Sequence, residues 1–212
     1  MTNEKAVAEK LLQVNAVRLN PQQPFTWASG WKSPIYCDNR ITLSHPRIRT
    51  YIRQELVKMI DEKFGTPDII AGVATGAIAH GVLVAEALGL PFVYVRAAAK
   101  DHGRQNVVEG ELSKNQTCVV IEDLISTGKS SLQVVEVLKE LGLDVIGMVS
   151  IFTYGFPVAT QAFSKASLEY YSLTDYPTLI GSAIQKGIVS ADLQDILLKW
   201  RDDPAAWKGG AI

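Results

Sequence analysis

The sequence predicts an α/β protein: a mostly parallel central sheet flanked by helices, with a small hood at the N-terminus. Three observations predict it. Short apolar runs at Ile69–Val73, Phe92–Val95, 117–121 and 145–152 alternate with helical segments. These runs are rich in β-branched residues and apolar at successive positions, as strands covered on both faces are. The first 42 residues read differently, with Pro21, Pro24, Pro34 and Gly30 set among Phe25, Trp27 and Trp31.

The elements follow in order. A helix is predicted over 4–17, with Val7, Leu11, Leu12 and Val14 on one face. Residues 20–42 are turn-rich with short extended pieces. Ser44 is placed as an N-cap, with Pro46 in the first turn of a helix running to about Phe64. That helix should bury Ile48, Ile52, Leu56, Val57 and Ile60. Helices over 77–88 and 130–141 fit between the apolar runs, with Gly89 and Gly142 at their C-terminal caps. Strand and helix in alternation define the parallel sheet. The tail, 190–212, sets Leu193, Ile196, Leu197 and Trp200 on one helical face, and no chemical role is assigned to it. Residues 1–212 are read as one domain, with 1–42 containing the hood.

Composition narrows the function. Apolar residues make up 47 % and charged residues 20 % of the 212, and the net charge is −1. A disordered chain is poorer in apolar residues and more charged. A balanced charge argues against non-specific nucleic-acid binding and against adhesion to anionic membrane. Cys37 and Cys118 have no paired spacing, which excludes a disulfide framework and the common zinc motifs. Residues 2–10 lack the apolar core of a signal peptide. The uncharged stretch 69–85 contains Gly72, Thr75, Gly76, His80 and Gly81, so strand, turn and helix explain it better than a membrane span. A soluble cytoplasmic protein is expected, with neither nucleic acid nor membrane as partner.

In parallel sheets ligands bind beyond the carboxyl ends of the strands. After Ile121 the chain reads Glu122-Asp123-Leu124-Ile125-Ser126-Thr127-Gly128-Lys129-Ser130. Free amides at a helix start, with a glycine allowing close approach, cradle a phosphate. Hydroxyls of Ser126, Thr127 and Ser130 can add to the cradle. Carboxylates suit hydroxyl donors such as those of a ribose. The combination describes a sugar phosphate. A nucleotide-triphosphate P-loop is rejected, because it needs a glycine where Asp123 stands. A capped helix with solvated acids is the bland alternative, and the crowding of acids, hydroxyls and glycine into one turn disfavours it.

A basic segment follows the second sheet strand. Arg96, Lys100 and His102 lie on a long linker with Gly103 and Gly110. Linkers of that length are usually functional. Cations on a closing loop would stabilise charge building on a leaving group. Asp101 among them would partly offset that charge, and a solvated basic loop is the other reading.

The acidic segment resembles the phosphoribosyl-pyrophosphate (PRPP) motif of the type I phosphoribosyltransferases. Residues 25–36, Phe-Thr-Trp-Ala-Ser-Gly-Trp-Lys-Ser-Pro-Ile-Tyr, resemble the hood of the orotate phosphoribosyltransferase family. Residues 96–103, with Asn106, Glu109 and Gly110, resemble its mobile catalytic loop. The resemblance implies transfer of phosphoribosyl from PRPP to orotate, with Mg2+ and a homodimer whose active sites are shared. It implies Arg96, Lys100, His102 and the stretch Glu122, Asp123, Leu124, Ile125, Ser126, Thr127, Gly128, Lys129, Ser130 at PRPP. Lys100, His102 and Asp123 are the implied catalytic residues, and Ser126, Lys32 and Tyr36 the orotate contacts. Thr75 and Gly76 would touch the pyrophosphate, and no complete protein metal cage is expected. The chain departs from the family at Ala28, Ala97 and 152–155, where basic residues are common. A purine transferase and a non-catalytic PRPP-sensing regulator are the rival readings. His80, His45, Cys37 and Cys118 are read as structural or exposed.

Overall fold

The computed structural model describes residues 3–27, 29–96 and 107–207. Helix α1, Glu4–Gln13, is capped by Asn3, whose side chain accepts the Ala6 amide. It stops short of the predicted Val17 because Asn15 turns left-handed, at φ 56°. The chain then enters β1, Val17–Leu19, paired antiparallel with β4, Ile35–Cys37. Between them a small hairpin joins β2, Phe25–Thr26, to β3, Lys32–Ser33. These pieces form the hood.

Residues Asn39–Ser44 make a 3-10 turn, so Ser44 is not the predicted N-cap. His45 takes that position without a side-chain hydrogen bond, and Pro46 opens α2, Pro46–Phe64. Proline has no N–H to satisfy there, which lowers the need for a cap.

The main sheet contains β5 (Ile69–Val73), β6 (Phe92–Val95), β7 (Val108–Glu109), β8 (Thr117–Ile125), β9 (Asp144–Thr153) and β10 (Tyr170–Asp175). Its order is β10-β9-β8-β5-β6-β7, parallel throughout except for β7. The apolar run predicted over 117–121 continues to Ile125. Edge strand β10 and the helices α5, Pro157–Lys165, and α6, Tyr176–Gln185, complete the far side. Every residue of β5 is buried, as expected of a strand with helices on both faces.

Topology places the site. From β5 the chain crosses through α3, Ile78–Leu88, to β6; from β8 it crosses the other way through α4, Lys129–Glu140, to β9. Right-handed crossovers in opposite directions put these helices on opposite faces. A crevice therefore opens between the carboxyl ends of β5 and β8. Register widens it: β5 and β8 last pair at Gly72 and Ile121, while β8 stays paired with β9 to Ile125 and Thr153.

An aromatic cluster fixes the hood to the sheet. Trp27 lies 5.0 Å from Tyr154 and 5.7 Å from Trp200, ring to ring. Tyr154 stacks on Phe156 at 5.2 Å. Such pairs contribute about 0.5–1.5 kcal/mol each beyond their buried area. Trp200 belongs to α7, Gln194–Asp202, and its indole N–H donates to the Lys32 carbonyl at 3.3 Å. The tail thus holds the hood hairpin. Among the described residues no helix is long and apolar enough to cross a membrane.

Candidate active site

The crevice holds a cleft of about 240 Å³. Asp123, Glu122 and Leu124 of β8 form one wall, and the turn Ala74-Thr75-Gly76 after β5 forms the other. The acids do not follow the strand, as the sequence led us to expect; they lie within it. Both acids line the cleft, and the Asp123 side chain bears directly on that of Glu122.

Glu122 is 4 % exposed. Its carboxylate accepts the Asp123 amide at 3.0 Å and the Ser131 hydroxyl of α4 at 2.8 Å. Burial, helped by the neighbouring Asp123 charge, holds its carboxyl well above the ordinary range. Asp123 is half-buried and opens on the cleft, with its carboxylate against Gly76.

The backbone at Asp123 has lost its β5 neighbour, and a side chain replaces it. Asn39 is fully buried, and its amide donates to the Asp123 carbonyl at 2.6 Å. The Cys37 thiol donates to the Asn39 amide oxygen at 3.5 Å, so the two ends of that amide are distinguished. The Asn39 carbonyl accepts the Thr42 hydroxyl, which also lies 3.5 Å from His80 Nε2. Burial lowers the His80 pKa. His80 is structural, as predicted, while His45 is exposed.

The turn after β8 has the form expected of a phosphate cradle. Gly128 is left-handed, at φ 77°, and a β-carbon there would strike the Phe163 ring. The amides of Thr127, Gly128 and Lys129 find no acceptor among the described residues, which leaves the first turn of α4 free to bind an anion. Lys129 and Ser130 are exposed, and Ser130 lines the cleft. Ile125 is fully buried, and its carbonyl accepts the Tyr154 amide.

A second cavity, of about 260 Å³, joins the first at Leu124 and Cys37. Trp27, Tyr36 and Tyr154 supply aromatic walls, with Thr26 and Ser126 at the edge. Tyr36 and Ser126 are therefore brought together, as the sequence reading has them. Lys32 is not among the lining residues, but its ammonium donates at 2.7 Å to the hydroxyl of Thr26, which is.

Arg96 lines a third cavity, of about 330 Å³, against α4, which shares Ser130 with the cleft. It pairs with Glu109 at 3.0 Å. Lys100 and His102 lie outside the described residues. Among the lining residues missed from sequence, three carry polar groups suited to a ligand. Asp38 and Arg40 flank Asn39 and enter the cleft, and Tyr154 enters the aromatic cavity. The Asp-Asn-Arg run was the available signal, since an Asx cap followed by a cation two residues later closes on itself.

A switch-point crevice with an acid-bearing strand and an open helix start defines a sugar-phosphate transferase of the phosphoribosyl class. The model of the phosphoribosyl transferase domain family matches residues 42–178. The orotate phosphoribosyltransferase of Porphyromonas gingivalis is 56 % identical over 203 residues, 96 % of this chain and 97 % of the relative. That of Phocaeicola vulgatus is 55 % identical over 209 residues, 99 % of each chain. The crystal structure of orotate phosphoribosyltransferase from Aeropyrum pernix superposes with TM-score 0.74 at 25 % identity, covering 87 % of this chain and 99 % of that one. The chain belongs to the orotate phosphoribosyltransferase family.

Proposed function

We propose that the two joined cavities carry out that family's reaction, in which orotate and PRPP give orotidine 5-phosphate and pyrophosphate, a step of pyrimidine nucleotide synthesis. One observation carries the assignment of parts. The phosphate cradle, the open carboxylate and the aromatic cavity meet along one stretch, from Asp123 to Ser130. The amides of Thr127–Lys129, with the Thr127 and Ser130 hydroxyls, take the 5-phosphate. Asp123 orients the ribose hydroxyls. Glu122, bound to Ser131, fixes the strand beneath them. The pyrimidine lies between Trp27, Tyr36 and Tyr154, beside Ser126.

Displacement at the anomeric carbon by orotate N1, with inversion, develops positive charge on the ribose and negative charge on the leaving group. Positioning and fixed charges do most of such work. By resemblance, Arg96, Lys100 and His102 face the pyrophosphate, with His102 as cation or proton donor.

The residues also fit a magnesium ion that arrives on the donor. Magnesium is commonly held by one or two carboxylates plus substrate phosphates. Among the described residues there is no cluster of three or more acidic, histidine or cysteine ligands. Of the carboxylates at the cleft, Asp38 is engaged by Arg40 and Glu122 by Ser131, which leaves Asp123. When bound, the ion neutralises phosphate charge.

The chain acts as one domain and assembles as a homodimer with shared sites. Loss of orotate absorbance on adding PRPP and magnesium tests the reaction. Mixing Lys100→Ala with Asp123→Ala subunits tests sharing. Restored activity supports it, and none argues for independent sites.

A further inference from the structure

We propose that Arg40 binds the pyrophosphate end of the donor and that Asp38 holds it ready. The proposal rests on reading the cleft as the PRPP site.

Arg40 stands in the 3-10 turn Asn39–Ser44. Its Nε and Nη2 donate to the two Asp38 carboxylate oxygens at 2.7 and 2.9 Å, and its backbone amide donates to Asp38 at 3.2 Å. A guanidinium has five N–H donors, so this clamp leaves three. The side chain is 58 % exposed, yet it lines the cleft. Surface pairs of this kind add little stability; this one fixes a direction. The preceding residue, Asn39, is bonded to the Asp123 carbonyl, so Arg40 is registered on the acid-bearing strand.

Charge makes the point. The described residues lining the cleft include Asp38, Glu122 and Asp123, and Arg40 is the one cation among them. A polyanion brought to carboxylates without that cation would be repelled. Geometry assigns the end. PRPP carries anionic groups on both sides of its ribose. Arg40 lines the cleft together with Thr75 and Gly76, which packs against the Asp123 carboxylate, whereas Thr127, Gly128 and Lys129 are not among the residues lining it. With the 5-phosphate in the cradle, the pyrophosphate falls to the Arg40 side. An arginine fork matches phosphate oxygens in pairs.

The test compares two competitive inhibitors of PRPP, inorganic pyrophosphate and ribose 5-phosphate, on wild type, Arg40→Gln, Arg40→Lys and Asp38→Asn. Arg40→Gln is expected to raise the pyrophosphate inhibition constant about tenfold or more, as loss of a charged hydrogen bond does. The ribose 5-phosphate constant and the orotate KM stay within about twofold. Arg40→Lys keeps the charge without the fork and falls between. Asp38→Asn loosens the clamp and gives a smaller pyrophosphate effect than Arg40→Gln. An unchanged pyrophosphate constant, or an equal shift for both inhibitors, overturns the proposal. If Arg40→Gln does not fold by thermal melt, Arg40→Lys carries the same comparison. Wild-type protein that neither turns over orotate with PRPP nor binds pyrophosphate fails differently, because it overturns the reading of the cleft itself.

Discussion

The Asp123 carboxylate occupies the space that a β-carbon on Gly76 would need. Both oxygens and the carboxyl carbon would fall inside contact distance. The turn after β5 therefore supports the acid from across the crevice, and only glycine allows that approach.

This relationship separates function from folding. The obstructing atoms are the end of a side chain that can rotate, so Gly76→Ala should fold with a melting temperature within a few degrees of wild type. Asp123 would be turned from its place. Displacements of about 1 Å at a reacting centre cost on the order of 100-fold. We expect kcat/KM for PRPP to fall by about that factor. Steady-state kinetics beside a thermal melt checks it, and wild-type kinetics in a folded variant would refute the coupling.

The parallel strands were legible because buried strands impose their own signature. Ile69–Val73 and Phe92–Val95 were bounded to the residue, since apolar character stops where each strand leaves the core. The acid-bearing strand ran on past its apolar part because Glu122 is buried through hydrogen bonds, which hydropathy does not register. Strand β10, Tyr170–Asp175, reads Tyr-Tyr-Ser-Leu-Thr-Asp at a sheet edge, without the unbroken aliphatic run of the inner strands, and was passed over. Of the site, the turn from Ser126 to Ser130 announced itself by composition. Asn39 and Arg40 did not, because their roles depend on a contact with Asp123 across 84 positions of sequence.

That contact yields a prediction of its own. Asn39 supplies the hydrogen bond that β5 no longer offers to the Asp123 carbonyl. Asn39→Ala leaves a carbonyl unpaired near the site, which costs about 1–3 kcal/mol. Asn39→Asp should be worse, because an ionised carboxylate would face that carbonyl with no donor. Urea unfolding of both variants at neutral pH measures the difference. Equal stability of the two would show that the amide does not donate there.

Glu122 sets the pH response. Its folded carboxyl is held well above its ordinary value of 4.5, by burial first and then by Asp123. The folded state thus binds this proton more tightly than the unfolded chain. Its contribution to stability is full below pH 4.5 and is lost as pH rises through the raised folded value. Glu122→Gln mimics the protonated acid and keeps an oxygen acceptor for Ser131 or the Asp123 amide. We expect its melting temperature, without ligands, to fall less than that of wild type as pH rises above 4.5. Parallel curves across that range would mean that Glu122 is ionised in the fold.

Tyr154 tests the aromatic cavity. Its ring is 2 % exposed, packed among Trp27, Phe156 and Trp200, and burial raises its pKa. It lines the cavity shared with Tyr36 and Ser126, and among the described residues its hydroxyl has no hydrogen-bond partner. A hydroxyl that opens on a cavity without an internal partner is available to a ligand. Tyr154→Phe keeps the stacking and removes only that donor. The melting temperature should hold or rise, because no internal bond is broken. If the hydroxyl meets the polar edge of orotate, the orotate KM rises about two- to tenfold, the span of a neutral hydrogen bond, while the PRPP KM does not move. A variant that loses stability and leaves the orotate KM unchanged would place that hydroxyl in the packed interior and assign recognition of the base's polar edge to Ser126 and Thr26.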